Sequence, residues 1–244
     1  MLFEDLSHSA SSLWSPIPGG ITTPSAFQAS GIKAGLKSSG NLDLALLLAP
    51  EGAVCAGTFT QSLVRASCID LCIERLKANE GSVRAVLINS GQANACTGER
   101  GWLDNVRVTD ALAERLGFDP AKVLICSTGV IGELIPVYKL IAGLDPLINQ
   151  LGENGGFDAA NAILTTDLVE KQIAYEAYLD GRRVRIGGMA KGSGMIHPDL
   201  ATMLAYISCD VGVPIDVWKA MITRVADCSF NSITVDGDTS TNDA

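Results

Sequence analysis

Lys191-Gly192-Ser193-Gly194-Met195-Ile196-His197-Pro198-Asp199-Leu200-Ala201-Thr202-Met203-Leu204 carries one lysine and two glycines through a proline to a threonine at the start of an apolar, strand-like run. A hydroxyl at such a seam can attack the carbonyl of the residue before it, here Ala201, and shift the peptide to an ester that water then opens. Thr202 would become a chain terminus whose free α-amine can act as general base for its own hydroxyl. An α-amino group suits that task because its ordinary pKa of roughly 7.7–8.0 lies near working pH, and a neighbouring ammonium such as Lys191 lowers it further. The same residues also read as an ordinary strand start behind a solvated loop charge.

Hydrophobic spacing predicts the elements that must position this segment. Residues 42–49 and 54–60 are strand-like runs joined at Pro50-Glu51-Gly52, which predicts an antiparallel hairpin. Helical spacing follows at Ile69, Cys72, Ile73 and Leu76 with Gly81 as a stop, and residues 83–88 form the next buried strand. Residues 89–101 read as a polar loop, open to a functional or a purely connecting role, before a helix marked by Leu103, Val106, Leu112 and Leu116. A short strand at 123–126 then runs into Ser127-Thr128-Gly129, where a hydroxyl beside an exposed backbone N–H is what an oxyanion hole needs and what any polar turn also supplies. Residues 136–148 and 157–164 read as helices, followed by Thr165-Thr166-Asp167, whose hydroxyls cap the chain or touch a substrate. Asp180-Gly181 marks a hairpin between 173–179 and 183–186, which leads through Gly187-Gly188, read as a source of conformational freedom, into the seam. Residues 203–209 read as a strand largely buried on both faces, and Pro214 opens a helix with Ile215, Trp218, Ile222 and Val225 on one side.

Composition narrows the function classes. A formal charge of −9 among 244 residues argues against nucleic-acid or anionic-membrane partners, which need concentrated Lys and Arg. No apolar run approaches membrane-spanning length, and residues 1–15 are polar, serine-rich and acidic at Glu4 and Asp5, so a loose tail and a cytoplasmic location are expected. Seven cysteines without a CxxC pair, and two histidines, predict reduced buried thiols and no metal. Residues 16–24 read as an extended loop, and 236–240 as a polar loop lacking the spaced ligands of an EF-hand.

Residues 191–204 resemble the processing motif of the ornithine acetyltransferase (glutamate N-acetyltransferase) family of arginine biosynthesis, K-G-S-G-M-I-x-P-x-M-A-T-M-L, with Leu200 where methionine is common. Four further blocks agree in order: 24–37 (PSAFQASGIKAGLK), 89–98 (NSGQANACTG), 127–132 (STGVIG) and 231–243 (NSITVDGDTSTND), with Gln92 where asparagine is usual.

The resemblance implies an α+β fold, an αββα layered sandwich, made of a tail at 1–15, an α-fragment at 16–201 and the start of a β-fragment at 202–244. It implies acetyl transfer from N2-acetylornithine to L-glutamate through an acetyl-Thr202 ester after self-cleavage at Ala201–Thr202. Thr128 and Gly129 would hold the oxyanion, and Thr165, Lys191 and Thr202 would bind substrate, with further binding residues beyond 244. No cofactor is expected, although some members accept acetyl-CoA as co-substrate, and the family's paired fragments assemble as a heterotetramer of two α and two β. A hydrolase of similar fold, an aminopeptidase or amidase in which water replaces glutamate, remains an alternative, as does an inactive precursor or an amino-acid-binding fragment.

Overall fold

The computed structural model describes residues 13–195, 203–238 and 240–244, so Ala201 and Thr202 lie outside the described residues. In chain order the elements are β1 (Ser15–Ile17), β2 (Gln28–Ile32), β3 (Leu44–Leu48), α1 (Ser67–Ala78), β4 (Ala85–Gln92), α2 (Gly98–Leu116), β5 (Val123–Val130), α3 (Val137–Asn149), α4 (Gly156–Ala162), β6 (Lys171–Leu179), β7 (Arg182–Lys191), β8 (Leu204–Cys209) and α5 (Ile215–Asp227). They form two four-stranded sheets, ordered β1-β6-β7-β8 and β2-β3-β4-β5.

Period-two alternation in the second sheet divides its side chains between two cores. Leu44, Leu46, Leu87 and Ile125 face α1, α2 and α3 and pack with Ile69, Val108, Leu112, Leu140 and Leu144. Their neighbours Ala45, Ile88, Leu124 and Cys126 face the other way and meet Met189 of β7, Leu204 of β8 and the alanines of α4. Each fully buried Leu or Ile contributes about 1.5–3 kcal/mol, so a register slip would turn both cores inside out. The product is an α+β layered sandwich: helices, a sheet, and a second sheet stacked on it. Beyond β8, α5 roofs a cavity of about 800 Å³ whose walls include Leu47, Val86, Tyr206, Trp218, Ile222 and Val225.

Several elements differ from expectation. The 42–49/54–60 hairpin is absent. The Pro50 turn exists, with Ala53 N donating to Pro50 O at 3.2 Å and Gly52 at φ 79°. But β3 already has β2 on one edge and β4 on the other, so no edge is left for a returning strand. Instead Cys55 N bonds Gly81 O (2.7 Å) and Thr60 N bonds Asp243 O (3.2 Å). β2 carries no β-branched alternation to announce it. It works because Gly31 admits the α4 backbone, where a Cβ would lie 2.2 Å from Asp158 O. The strands around the expected polar loop and turn are longer than predicted, β4 reaching Gln92 and β5 reaching Val130. In α2 the inward stripe is Asn105, Val108, Thr109 and Leu112, while Leu103 is 54% exposed. Asn105 belongs inside because its Oδ1 accepts from Asn94 Nδ2 (2.9 Å) and its Nδ2 donates to Ser67 Oγ (3.0 Å). Ser15 is part of the edge strand β1, paired with β6, and in β8 only Leu204 and Ser208 are buried while Ile207 is 41% exposed, so that strand is not largely buried on both faces.

The β6–β7 hairpin turns at Asp180-Gly181 as predicted, both residues at positive φ (49° and 73°). Gly187 and Gly188, however, lie inside β7 rather than in a flexible lead. The requirement at Gly187 is space, since a Cβ there would sit 1.9 Å from Gly20 O. Gly187→Ala is expected to destabilise the protein by about 1–3 kcal/mol through overpacking, read as a lower urea midpoint. Gly212→Ala, with nothing within 4 Å, is the control and should stay within about 0.5 kcal/mol.

Candidate active site

Lys191 ends β7, opposite Leu204 at the start of β8, and is 3% exposed. Its Nζ donates to Thr128 Oγ1 of β5 at 3.2 Å, so the contact bridges the two sheets. Thr128 is itself 4% exposed. Burial draws the Lys191 ammonium below its ordinary pKa, Asp167 and Asp243 pull it back up, and Lys171 adds to the depression. Because Oγ1 accepts from Lys191, the Thr128 hydroxyl proton is left to point elsewhere.

The next residue, Gly129, has φ 131° and lies beside Gly91, φ 124°, in the parallel β4–β5 pair. A Cβ on Gly129 would meet the Gly91 carbonyl at 2.3 Å, so only glycine lets these strands close here. A hydroxyl donor, a glycine backbone in an unusual conformation and a buried ammonium thus stand together at the ends of β5 and β7. Donors fixed in this way can stabilise negative charge that develops on an acyl oxygen.

Asp167 ties the neighbouring loop to this cluster. Its Oδ1 accepts from Gly192 N (2.8 Å) and from Lys171 Nζ, and its Oδ2 accepts from Thr165 N at 3.5 Å. Burial alone would raise the Asp167 pKa, but the Lys171 and Gly192 hydrogen bonds and the charges of Lys171 and Lys191 outweigh it and hold the carboxyl below its ordinary value. Thr165 is exposed and reaches the cluster through that backbone bond. Of the residues singled out in the sequence, Thr128, Gly129 and Lys191 come together directly and Thr165 lies one residue pair away. Ala201 and Thr202 fall outside the described residues, but Met203, which follows them, donates its N–H to Asp243 Oδ1 at 2.9 Å.

Sequence reasoning did not single out Lys37, Asp43, Asn242 or Asp243. Lys37, Asn242 and Asp243 stand inside the matched blocks, which were the available signal. Asp43 is fully buried and accepts the N–H groups of Ala34 (2.6 Å), Leu36 (2.5 Å) and Lys37 (2.9 Å), which shapes the loop carrying Lys37. Lys37 Nζ donates to Leu42 O (2.7 Å) and Ala162 O (3.4 Å). Burial draws its pKa down to about 8, with Asp43 opposing and Lys191 reinforcing. Asn242 Nδ2 donates to Ala93 O (2.6 Å) and Ser127 O (2.9 Å), which docks residues 240–244 beside Thr128. Burial pushes Asp243 up to about 7 against the hydrogen bonds of Met203 and Ser240 and the charge of Lys191. Gln92, the departure from the family pattern, has a buried Oε1 with no hydrogen-bond partner among the described residues.

All seven cysteines are free thiols. Burial pushes Cys55 and Cys68 up to about 12, which makes them poor nucleophiles. No cluster of His, Cys, Asp and Glu among the described residues could hold a metal ion. No described helix is long and apolar enough to cross a membrane.

A layered sandwich with a lysine–threonine pair bridging its sheets defines a class that comparison with known proteins narrows. The ArgJ family model matches residues 28–244, and the chain belongs to that family. It is 69% identical over 239 residues to the arginine biosynthesis bifunctional protein ArgJ of Prochlorococcus marinus strain MIT 9313. That match takes in 98% of this chain and 56% of the relative, so the chain spans little more than half the relative's length. Among solved structures, the ArgJ protein of Bacillus halodurans superposes with a TM-score of 0.72 at 36% identity, over 78% of this chain and 98% of that one. The ornithine acetyltransferase of Mycobacterium tuberculosis, complexed with ornithine, gives 0.71 at 36% identity over 78% and 100%. A likeness of fold alone extends to the L-aminopeptidase D-Ala-esterase/amidase of Ochrobactrum anthropi, TM-score 0.51 at 11% identity over 87% and 69%.

With a pKa of about 8, roughly half of Lys37 is unprotonated at pH 8, against under about 1% of an ordinary lysine. Limited acylation with acetic anhydride at pH 8, read by peptide mass spectrometry, should modify Lys37 on the order of tenfold faster than exposed Lys77. At pH 10.5 that advantage should shrink to within a few-fold, because an ordinary lysine amine is then roughly half neutral. Equal rates at pH 8 would return Lys37 to an ordinary surface amine.

Proposed function

We propose that this chain carries the nucleophile and oxyanion-binding parts of a self-processing acetyltransferase, which moves the acetyl group of N2-acetylornithine to L-glutamate in arginine biosynthesis. The observation that supports it most is the buried 3.2 Å contact with Thr128 of Lys191, the first residue of the motif that contains Thr202, in a chain of the ArgJ family. The ornithine bound to the Mycobacterium tuberculosis relative points to the same substrate class.

In this reading the Ala201–Thr202 bond is cut and Thr202 becomes an N-terminal residue. Its Oγ attacks the acetyl carbonyl of acetylornithine while its α-amine takes the hydroxyl proton. The Thr128 hydroxyl and Gly129 N–H receive the developing oxyanion, the C–N bond breaks, and the proton passes to the departing ornithine amine. The glutamate amine then attacks the acetyl-Thr202 ester, and Oγ recovers its proton. Lys191 and Thr165 bind the amino-acid substrate, and the Lys191 charge helps keep the Thr202 amine neutral. The acetyl group rides on the protein throughout, so the route needs no cofactor. Acetyl-CoA would serve as an alternative donor to the same hydroxyl. The fragments 16–201 and 202 onward stay together, two of each per assembly, in the cytoplasm.

A hydrolase that uses the same nucleophile is the second reading, favoured by the fold likeness to the aminopeptidase. Intact-mass measurement should show two pieces meeting at Ala201/Thr202, and a single species for Thr202→Ala. In the chain supplied with the remaining length of a relative, Thr128→Ala should lower acetyl transfer to glutamate by on the order of 10²–10³. Full turnover by the Thr202→Ala protein would disprove the mechanism. Acetate released at an unchanged rate without glutamate would select the hydrolase.

A further inference from the structure

The reaction above gives Lys37 no task, yet its backbone and its ammonium are both held beside the site. Asp43, fully buried, accepts the N–H groups of Ala34, Leu36 and Lys37. Leu36 O lies against the end of β4, 3.2 Å from where a Cβ on Gly91 would be. From this fixed loop the half-buried side chain reaches two carbonyls, Leu42 O at 2.7 Å and Ala162 O at 3.4 Å. Ala162 is the last residue of α4, and its carbonyl is one of those that a helix cannot satisfy internally. Ser90 Oγ of β4 donates to the same oxygen at 2.5 Å, and Ser90 is the register partner of Thr128 in β5. The end of α4 is thus fastened to the strand beside Thr128.

Thr165 and Asp167 follow in the turn that leaves the helix. That turn is pinned at both ends, at Ala162 by Lys37 and Ser90 and at Asp167 by Lys171 and by the N–H of Gly192, the neighbour of Lys191. We propose that Lys37 is a positioning residue for the amino-acid substrate: its ammonium holds the last carbonyl of α4 and so sets the turn that presents Thr165. The proposal rests on the acetyltransferase reading, in which Thr165 binds substrate, and adds to it a residue that touches no reacting atom. A cation suits the place because the C-terminal end of a helix carries partial negative charge, and a charge-assisted hydrogen bond is roughly twice as strong as a neutral one.

The charge of this clamp depends on pH. Burial draws Lys37 down to about 8; Asp43 opposes the shift, Lys191 from β7 reinforces it and Asp167 from the turn opposes it. Ser90 from β4 and Ala162 from α4 meet the ammonium with uncharged oxygens or hydroxyls. The charged form therefore prevails at pH 7 and is largely lost by pH 9, where the clamp keeps only a neutral N–H donor.

The test is steady-state acetyl transfer from N2-acetylornithine to glutamate between pH 7 and 9, in the chain extended by the remaining length of the Prochlorococcus relative. At pH 7 Lys37→Met should raise KM for acetylornithine on the order of tenfold with kcat within about threefold of wild type, the pattern of lost binding without lost chemistry. Lys37→Arg, charged at every pH used, should stay within about threefold in KM. The ratio of wild-type KM to that of Lys37→Arg should climb several-fold through about pH 8, a comparison in which titrations common to both proteins cancel. In a Thr165→Val background, Lys37→Met should raise KM by less than about twofold, because the residue it acts through is already gone. A wild-type KM in Lys37→Met, or the full tenfold effect persisting beside Thr165→Val, overturns the proposal and leaves the acetyltransferase reading intact. Absence of acetyl transfer by the wild-type protein overturns that reading and the proposal with it. If neither Lys37 variant folds, the wild type decides: KM should rise several-fold from pH 7 to 9, and a flat KM overturns the clamp.

Discussion

One buried ammonium governs the design of this site. Lys191 lies at the end of a strand in one sheet and donates to Thr128 in the other, and both residues are almost wholly removed from water. Removing an ammonium from water is costly unless partners replace its hydration. Thr128 supplies a hydrogen bond, and Asp167 and Asp243 supply opposite charge. None of these residues is near Lys191 through the local path of its own strand alone. The sheets must stack in one register for the charge to be tolerated, which couples the site to the fold.

That stacking has its own cause. In β3, β4 and β5 alternate residues face two different cores, Leu44, Leu46, Leu87 and Ile125 toward the helices and Ala45, Ile88, Leu124 and Cys126 toward the second sheet. Gly187 in β7 admits Gly20 O where any Cβ would collide. Gly91 and Gly129 do the same between β4 and β5 beside Thr128. Close approach of backbones, more than loop freedom, explains these positions.

Residues 240–244 give the site its far wall. They are held by Thr60, Ala66, Ala93 and Ser127 on one side and by the start of β8 on the other. Every one of these bonds joins residues far apart in the chain or lying on either side of the 196–202 stretch. The described residues on the two sides of that stretch are therefore hydrogen-bonded to each other directly.

Periodicity and turn chemistry were enough to place the β6–β7 hairpin at Asp180-Gly181, the helices α1 and α3, and the helix opened by Pro214, because each depends on residues close together in the chain. Spacing alone left Lys191, Thr202 and the Ser127-Thr128-Gly129 block open between a nucleophile site and an ordinary strand start and turn, and the resemblance of those blocks to a family motif suggested the chemistry. Tertiary structure alone decided that β3 has no edge free for residues 54–60, that the loop of Lys37 is shaped by Asp43, that Asn105 belongs in a core, and that Asp243 lies against Met203. Those facts depend on which chain segment occupies the space beside another, and on the loss of water there. Neither is encoded in the neighbourhood of any single residue.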